Sequence, residues 1–343
     1  MPIEARFALV FAVALVAGLL LARLAPALGL LDHPGGRKDH ADATPLVGGL
    51  AIFCAMLVAG AIGNMGEAYR VMLAAGGVLV LTGIIDDRHE IGPLPRFVLQ
   101  AVAALVMAYG ANVVLHGVGK LVGFYPIEFG FLTIPATIFC VLGVINSLNM
   151  IDGLDGLSGS ISVTIFAAYA YVAHETGLAA QAHVLMMLLA ATLGFLVLNM
   201  RLPWQARARI FLGDTGSMLL GLLIAWFAID LTMGDGRTFP PICALWVVMV
   251  PLCDCVSLMA RRRKAGKSAL VADREHIHYY LRNRGLSVAA TQWTIALANA
   301  ACALFAVVGW QCGVPEPVFF GVFVAMFVAY HVLMGRAFAA HGA

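Results

Sequence analysis

The residues with the most chemistry to offer form one stretch, Asn146-Ser147-Leu148-Asn149-Met150-Ile151-Asp152-Gly153-Leu154-Asp155-Gly156-Leu157-Ser158, between two apolar runs. Its two Asn and two Asp recur at every third position, and no Lys or Arg accompanies them. Carboxylates at membrane depth are expensive unless a cation or a water-filled cavity answers them. On an unbroken helix this row would drift by about 60° per step, so its ends would face opposite ways. Gly153 and Gly156 instead predict that a helix stops here and turns into a tight loop. Asn146, Asn149, Asp152 and Asp155 would then point into one pocket. An ordinary loop between two helices can carry the same residue types, so the functional reading rests on matching clusters elsewhere in the chain.

Three such clusters follow the same logic. Asp86-Asp87-Arg88-His89-Glu90 closes an apolar run. Adjacent carboxylates raise each other's pKa unless a cation is close, and they suit either Mg²⁺, which takes hard oxygen ligands, or a general base. A solvated helix end would also carry them. Phe211-Leu212-Gly213-Asp214-Thr215-Gly216-Ser217 opens another apolar run. Its glycines allow close backbone approach, Thr215 or Ser217 can cap a helix, and a helix start favours phosphate oxygens. The third cluster joins Arg261-Arg262-Arg263-Lys264 to Asp273-Arg274-Glu275-His276-Ile277-His278. Basic residues after a span commonly set topology, whereas His276 and His278 can reach one anion together. Two His without Cys are weak support for zinc. Asp254 reads as a paired or capping carboxylate near a span end, and His183 and His331 read as structural. Pro203 and Pro251 are expected to end or kink helices.

The elements that must position these residues are membrane helices. Of 343 residues, 62% are hydrophobic and 12% charged, and the mean hydropathy is +0.92. Soluble domains average roughly 45–50% apolar and 25% charged. The fold class is therefore an all-α polytopic membrane protein. Eleven runs approach the roughly 20 apolar residues that a span requires: 7–30, 45–62, 68–85, 95–113, 131–149, 157–173, 179–200, 211–230, 238–259, 288–310 and 315–335. No soluble domain fits between them, so residues 1–343 read as one transmembrane domain. Arg6 before the first run, with no small-residue cleavage site after it, makes that run a helix rather than a signal peptide. The seven Cys lie in apolar runs and read as small core residues.

Of the 21 Lys and Arg, 16 fall on one set of loops. The positive-inside rule puts that set in the cytoplasm, with the N-terminus outside and the C-terminus inside. The chemical clusters lie on the same side, in loops at about 31–44, 86–96, 149–157, 201–214 and 260–287. One composite site facing the cytosol at the membrane surface is the economical reading.

Together the clusters resemble the polyprenyl-phosphate N-acetylhexosamine-1-phosphate transferases, the family of MraY and WecA. The resemblance runs through Asp32-His33-Pro34, Arg37-Lys38-Asp39-His40, Thr44-Pro45-Leu46-Val47-Gly48-Gly49, Asp86-Asp87, the 146–156 stretch, Phe211 to Ser217 and His276-Ile277-His278. With residues 32–49 as the first, five ordered motifs over residues 32–278 make it specific, and eleven spans with an Arg-rich lead into His-Ile-His place it nearest the WecA branch, the undecaprenyl-phosphate GlcNAc-1-phosphate transferases. Two positions depart: Tyr279 stands where the family pattern has a last His, and Glu90 where it has Asp.

That resemblance implies transfer of a sugar-1-phosphate, GlcNAc-1-phosphate first among UDP-aminosugars, from a UDP-sugar to undecaprenyl phosphate, with UMP released. It implies Mg²⁺, with Mn²⁺ able to substitute, held by Asp214 and Asn149. Asp86, Asp87, Asp152 and His276 would be catalytic, and Lys38, His40, Asn146, Asp155, Arg262 and His278 would bind substrate. The expected setting is the bacterial cytoplasmic (inner) membrane, with UDP-N-acetylhexosamine, undecaprenyl phosphate and the lipid bilayer as partners. Nucleic acid is not expected, and a homodimer is compatible. Two other classes compete. A transporter predicts related halves and mid-membrane sites, which the sequence lacks. A UbiA-like prenyltransferase also uses Asp-rich motifs and Mg²⁺, but it leaves Gly213 to Ser217 and His-Ile-His without a role.

Overall fold

A computed structural model describes residues 1–33, 43–63, 65–234, 237–268 and 274–339. Every apolar run is helical there. The helices are α1 (Ile3–Leu28), α2 (Gly48–Gly63), α3 (Glu67–His89), α4 (Pro93–Ala111), α5 (Thr133–Ile151), α6 (Leu157–Glu175), α7 (Ala179–Asn199), α8 (Gly213–Asp230), α9 (Pro241–Val247), α10 (Met249–Lys264), α11 (Ile277–Asn283), α12 (Val288–Gln311) and α13 (Glu316–Ala339). Two small antiparallel pairs interrupt the all-α pattern. Strand β1 (Leu31–Asp32) pairs with β2 (Thr44–Pro45), and β3 (Gly117–Gly119) with β4 (Ile127–Glu128).

The expected count of eleven spans needs correcting in detail. Among the described residues nine helices are long and apolar enough to cross a bilayer. The second run forms only the 16-residue α2, about 24 Å long at 1.5 Å per residue, against about 30 Å of hydrocarbon. The ninth run is a broken pair, α9 and α10, bent by 82°. Hydropathy sums apolar residues and is blind to such a bend. Pro251 lies in the first turn of α10, where a missing N–H leaves no helix bond unmade. The carbonyls freed near the break find side chains: Asn299 Nδ2 donates to the Val247 carbonyl at 3.2 Å, and the Tyr169 hydroxyl donates to the Ala244 carbonyl at 3.1 Å. Both partners are fully buried, as a broken span requires.

Helix α8 is the central post. Of its apolar stretch 78% is buried, against 11% for α13, so the helix whose start carries Asp214 is also the one most fixed by packing. Glycines bring its neighbours to backbone contact. A Cβ on Gly49 of α2 would lie 2.3 Å from the Gly216 nitrogen, one on Gly83 of α3 2.2 Å from the Thr215 Cα, and one on Gly221 of α8 2.5 Å from the Ile145 Cα of α5. Small residues serve this purpose where lipid supplies no hydrophobic drive between helices. The Thr44 to Gly49 motif docks there too. Phe211 N–H donates to the Pro45 carbonyl at 2.8 Å, and the Gly48 and Gly49 N–H groups donate to the Phe211 and Leu212 carbonyls at 2.9 and 3.1 Å.

Candidate active site

The site is built around the start of α8. Gly213 has φ +72°, and a Cβ there would meet the Asp87 carboxylate at 2.7 Å, so backbone conformation and space both require glycine. Asp87 then caps α8 from another helix. Its Oδ1 accepts from the Asp214 N–H at 2.8 Å, and its Oδ2 accepts from the Thr215 N–H at 3.2 Å and the Thr215 hydroxyl at 2.7 Å. A carboxylate here satisfies orphan donors and complements the positive end of the helix. The adjacent Asp86 turns the other way. It is buried, and its Oδ2 accepts from Arg96 Nη1 of α4 at 2.8 Å. The same Arg96 nitrogen lies 3.7 Å from Asp214 Oδ1. Asn149 Nδ2 donates to that Asp214 oxygen and, at 2.9 Å, to Ser217 Oγ. The Asp-Asp pair is thus split: one carboxylate positions α8, and the other shares Arg96 with Asp214.

The 146–158 stretch divides as expected, a little earlier than its glycines. Helix α5 ends at Ile151, and the Gly153 N–H donates to the Ile151 carbonyl at 2.8 Å. With Asp152 at φ −73°, ψ 65°, this is an inverse γ-turn. Asn146 and Asn149 therefore sit on the helix, and Asp152 and Asp155 in the loop. Gly156, at φ +77°, starts α6, and its N–H donates to Asn199 Oδ1 at 2.8 Å. Asn199 Nδ2 in turn donates to the Ile210 carbonyl, which ties this loop to the segment leading into α8. Asp155 accepts from Arg201 Nε at 2.7 Å and from the Ala208 N–H at 3.3 Å. Asn146 donates to Gln100 Oε1 of α4 at 2.8 Å and to the Leu142 carbonyl, so its amide faces the α4–α5 contact.

Asp152 lies outside the spans, and its pKa is raised to about 7. Burial is the main cause; the Ser158 hydroxyl opposes it, and Asp214, Asp87 and Asp155 add to it. A carboxyl raised in the folded state favours folding at low pH, and that contribution is lost as pH rises from about 4 to about 7. Asp152→Asn should therefore gain thermal stability over the wild type on passing from pH 5 to pH 8, by about 2–4 °C in melting midpoint. Equal midpoint differences at both pH values would show that Asp152 carries no such penalty.

His276 directly precedes α11, and His278 lies in the first turn of that helix. His276 is buried, and its Nδ1 lies 2.6 Å from Asp254 Oδ2. The His278 ring stacks on His276 with centroids 5.3 Å apart and an interplanar angle of 9°. It also lies against Gly153, where a Cβ would be 2.5 Å from His278 Nε2, so the His-Ile-His segment meets the 146–158 loop. Both nitrogens of the His278 ring are buried without a partner among the described residues, and its pKa is lowered to about 3 by burial, then by the charge of His276. Tyr279, the departure from the family pattern, packs its ring on His278 at 4.3 Å. Arg262 is buried near the end of α10. Lys38 and His40 lie outside the described residues.

Four residues of this neighbourhood escape the sequence reading: Arg96, Gln100, Asn199 and Arg201. Each pairs with a candidate residue, or in the case of Asn199 with the backbone of the 146–158 loop, across 10 to 46 positions, and no motif spacing signals that. Arg96 and Arg201 are visible only as part of the cytoplasmic charge tally.

The donor set fits a hard divalent cation. Asp214, Asp87 and Asp155 all lie close enough to raise the pKa of Asp152, and the Asn149 amide sits on Asp214. A bound cation would turn the Asn149 amide so that its oxygen, not its nitrogen, faces the Asp214 carboxylate's side. Among the described residues no three His, Cys, Asp or Glu side chains form a metal-holding group. Mg²⁺ usually takes one or two carboxylates and completes its shell with water and substrate phosphates.

A bundle of apolar helices with clustered carboxylates, amides, imidazoles and guanidiniums at one end defines a membrane-embedded enzyme acting on a phosphorylated substrate. The description of glycosyl transferase family 4 matches residues 69–232, and the chain belongs to that family. Its relatives include the undecaprenyl-phosphate α-N-acetylglucosaminyl 1-phosphate transferase of Yersinia pestis, 32% identical over 92% of this chain and 87% of the relative. The enzymes of that name from Haemophilus influenzae and Escherichia coli K12 are 33% and 32% identical, over 89% and 92% of this chain and 86% of each relative.

Proposed function

We propose that this enzyme transfers GlcNAc-1-phosphate from UDP-GlcNAc to undecaprenyl phosphate. An oxygen of the lipid phosphate attacks the β-phosphorus. The bond from that phosphorus to the bridging oxygen breaks, UMP leaves with that oxygen, and undecaprenyl-pyrophosphoryl-GlcNAc remains. The observation that carries this reading is the convergence of Asp214, Asn149, Asp86 and Arg96 at the start of α8, with His278 packed on the loop of Asp152. Bringing a diphosphate to a lipid phosphate concentrates negative charge, so positioning and charge neutralisation carry most of the catalysis. Asp214 and Asn149 would hold Mg²⁺, which would supply Lewis-acid polarisation of phosphate oxygens.

The chain's own groups do the rest. Asp86, held by Arg96, orients the lipid phosphate. Its second pKa is about 6, so little base catalysis is needed near neutrality. Asp87 fixes the start of α8, and with it the Asp214 carboxylate. Asp155 with Arg201 holds the 201–208 segment beside the nucleotide. His276 and His278 bind the diphosphate, with Arg262, Lys38 and His40. The charge placement supports an active site on the cytoplasmic face of the membrane, with the N-terminus outside and the C-terminus inside.

The test is purified protein with undecaprenyl phosphate, Mg²⁺ and a panel of UDP-sugars, following UMP. UDP-GlcNAc should exceed UDP-GalNAc by at least about tenfold in kcat/KM, the discrimination expected of a site that hydrogen-bonds a sugar hydroxyl. Higher turnover of another aminosugar would replace the sugar while keeping the reaction. Release of pyrophosphate from a prenyl diphosphate would move the enzyme to the prenyltransferases.

A further inference from the structure

We propose that Asp254 and Tyr330 are positioning residues that hold His276, and through it His278, in the active site. The inference rests on the reading above only in taking the two imidazoles as phosphate-binding groups. Asp254 lies inside α10 with 1% of its surface exposed. Its carboxylate joins three elements. Oδ2 lies 2.6 Å from His276 Nδ1, while Oδ1 accepts from the Ile277 N–H at 3.0 Å and from the Tyr330 hydroxyl at 2.6 Å. A buried carboxylate is costly, and a purely structural link at this position would be served as well by apolar packing. What apolar packing cannot do is fix the ring of a histidine. A carboxylate at Nδ1 accepts that nitrogen's proton and fixes the rotation of the ring, and when a phosphate draws a second proton to Nε2 the carboxylate stabilises the imidazolium from behind. In metal sites the same arrangement orients ligand histidines.

The rest of the contact supports this. Arg261, about two turns further along α10, donates to the Glu275 carbonyl at 2.7 Å and to Ser257 Oγ at 2.7 Å. Ser257 Oγ lies 3.0 Å from Nδ1 of His331, the neighbour of Tyr330. The backbone entering His-Ile-His is thus gripped by α10 on one side and by α13 behind it. Among the described residues of α13 only Phe319 and Met334 are buried, so this otherwise peripheral helix reaches the site through Tyr330 and His331. The parallel stack of His276 and His278 then passes the position on to the ring that rests on Gly153. The 82° bend after α9 aims α10, and with it Asp254, at this loop.

Two measurements on the purified full chain test the proposal. The first is kinetic. Tyr330→Phe keeps the ring and removes one hydrogen bond. It should raise KM for UDP-GlcNAc about three- to tenfold with kcat, KM for undecaprenyl phosphate and the melting midpoint nearly unchanged. In a His276→Ala background the same change should do nothing further, because coupled residues are not additive. An equal loss in both backgrounds, or a loss confined to stability, would overturn the positioning role. The second needs no turnover. In ¹⁵N-histidine spectra, the proton of His276 should sit on Nδ1 in the wild type. In Asp254→Asn it should move to Nε2, since the amide presents a donor to Nδ1. An unchanged tautomer would overturn the assignment. If wild type releases no UMP while the tautomer switches, the phosphotransfer reading fails and the positioning contact stands.

Discussion

Asp214→Ala should abolish Mg²⁺-dependent UMP release, lowering kcat by about 10³-fold or more, while leaving the fold intact. Both halves of this expectation come from the geometry. The Asp214 side chain is one third exposed, and its Oδ1 is where the Asn149 amide and the Arg96 guanidinium meet. Removing it deletes the charge that a cation would bind and leaves Asn149 and Arg96 with no shared partner. Single groups that stabilise developing charge are worth roughly 10²–10³ in rate, and a lost metal ligand costs at least as much. The fold should persist, because Asp87 caps α8 through the Asp214 backbone N–H and through Thr215, and alanine keeps both. A midpoint within about 2 °C of wild type, on the scale of a small surface change, separates this outcome from unfolding. Retained activity with unchanged Mg²⁺ dependence would move the metal elsewhere.

Gly49→Ala should be the opposite kind of variant, losing stability and activity together although residue 49 carries no chemistry. The added Cβ would lie 2.3 Å from the Gly216 nitrogen and 2.5 Å from its Cα. These are backbone atoms of the most buried helix, so no side chain can swing aside. Helices α2 and α8 must part, and the Gly48 and Gly49 N–H bonds to the Phe211 and Leu212 carbonyls must lengthen. Overpacking of this kind costs about 1–3 kcal/mol, or on the order of 5 °C in melting midpoint. The start of α8 shifts with it, so transfer should fall by at least about tenfold, as small misplacements of positioned groups do. A variant that melts like wild type and turns over normally would show that this contact does not set the site. Gly321 of α13, where a Cβ meets nothing within 4 Å, is the control: Gly321→Ala should lower neither.

How far the sequence could be read follows from the kind of interaction at stake. Apolar runs report bilayer depth directly, so all eleven were visible as helices. They carry no information about bending, and so the break at Val248 and the shortness of α2 were not. Gly153 and Gly156 did mark a helix end, because glycine acts through local backbone freedom. The opposite fates of Asp86 and Asp87 were invisible. Adjacent residues on a helix point about 100° apart, and only the packing of α8 on one side and α4 on the other decides which carboxylate caps and which faces Arg96. Asp254 was legible as a paired carboxylate, but its partners His276 and Tyr330 lie 22 and 76 positions away. Likewise Asn146 stands in the same three-residue row as Asn149, yet it turns to Gln100, which no count of polar residues reveals.

The central claim is that the sugar travels with its phosphate. It is tested most directly by giving the purified enzyme UDP-GlcNAc labelled at the β-phosphorus, with undecaprenyl phosphate and Mg²⁺, and then separating lipid from water-soluble products. Phosphoryl transfer predicts that the label moves into the lipid in step with the sugar while unlabelled UMP is released. Label remaining in the aqueous phase as UDP, with the sugar alone on the lipid, would contradict it.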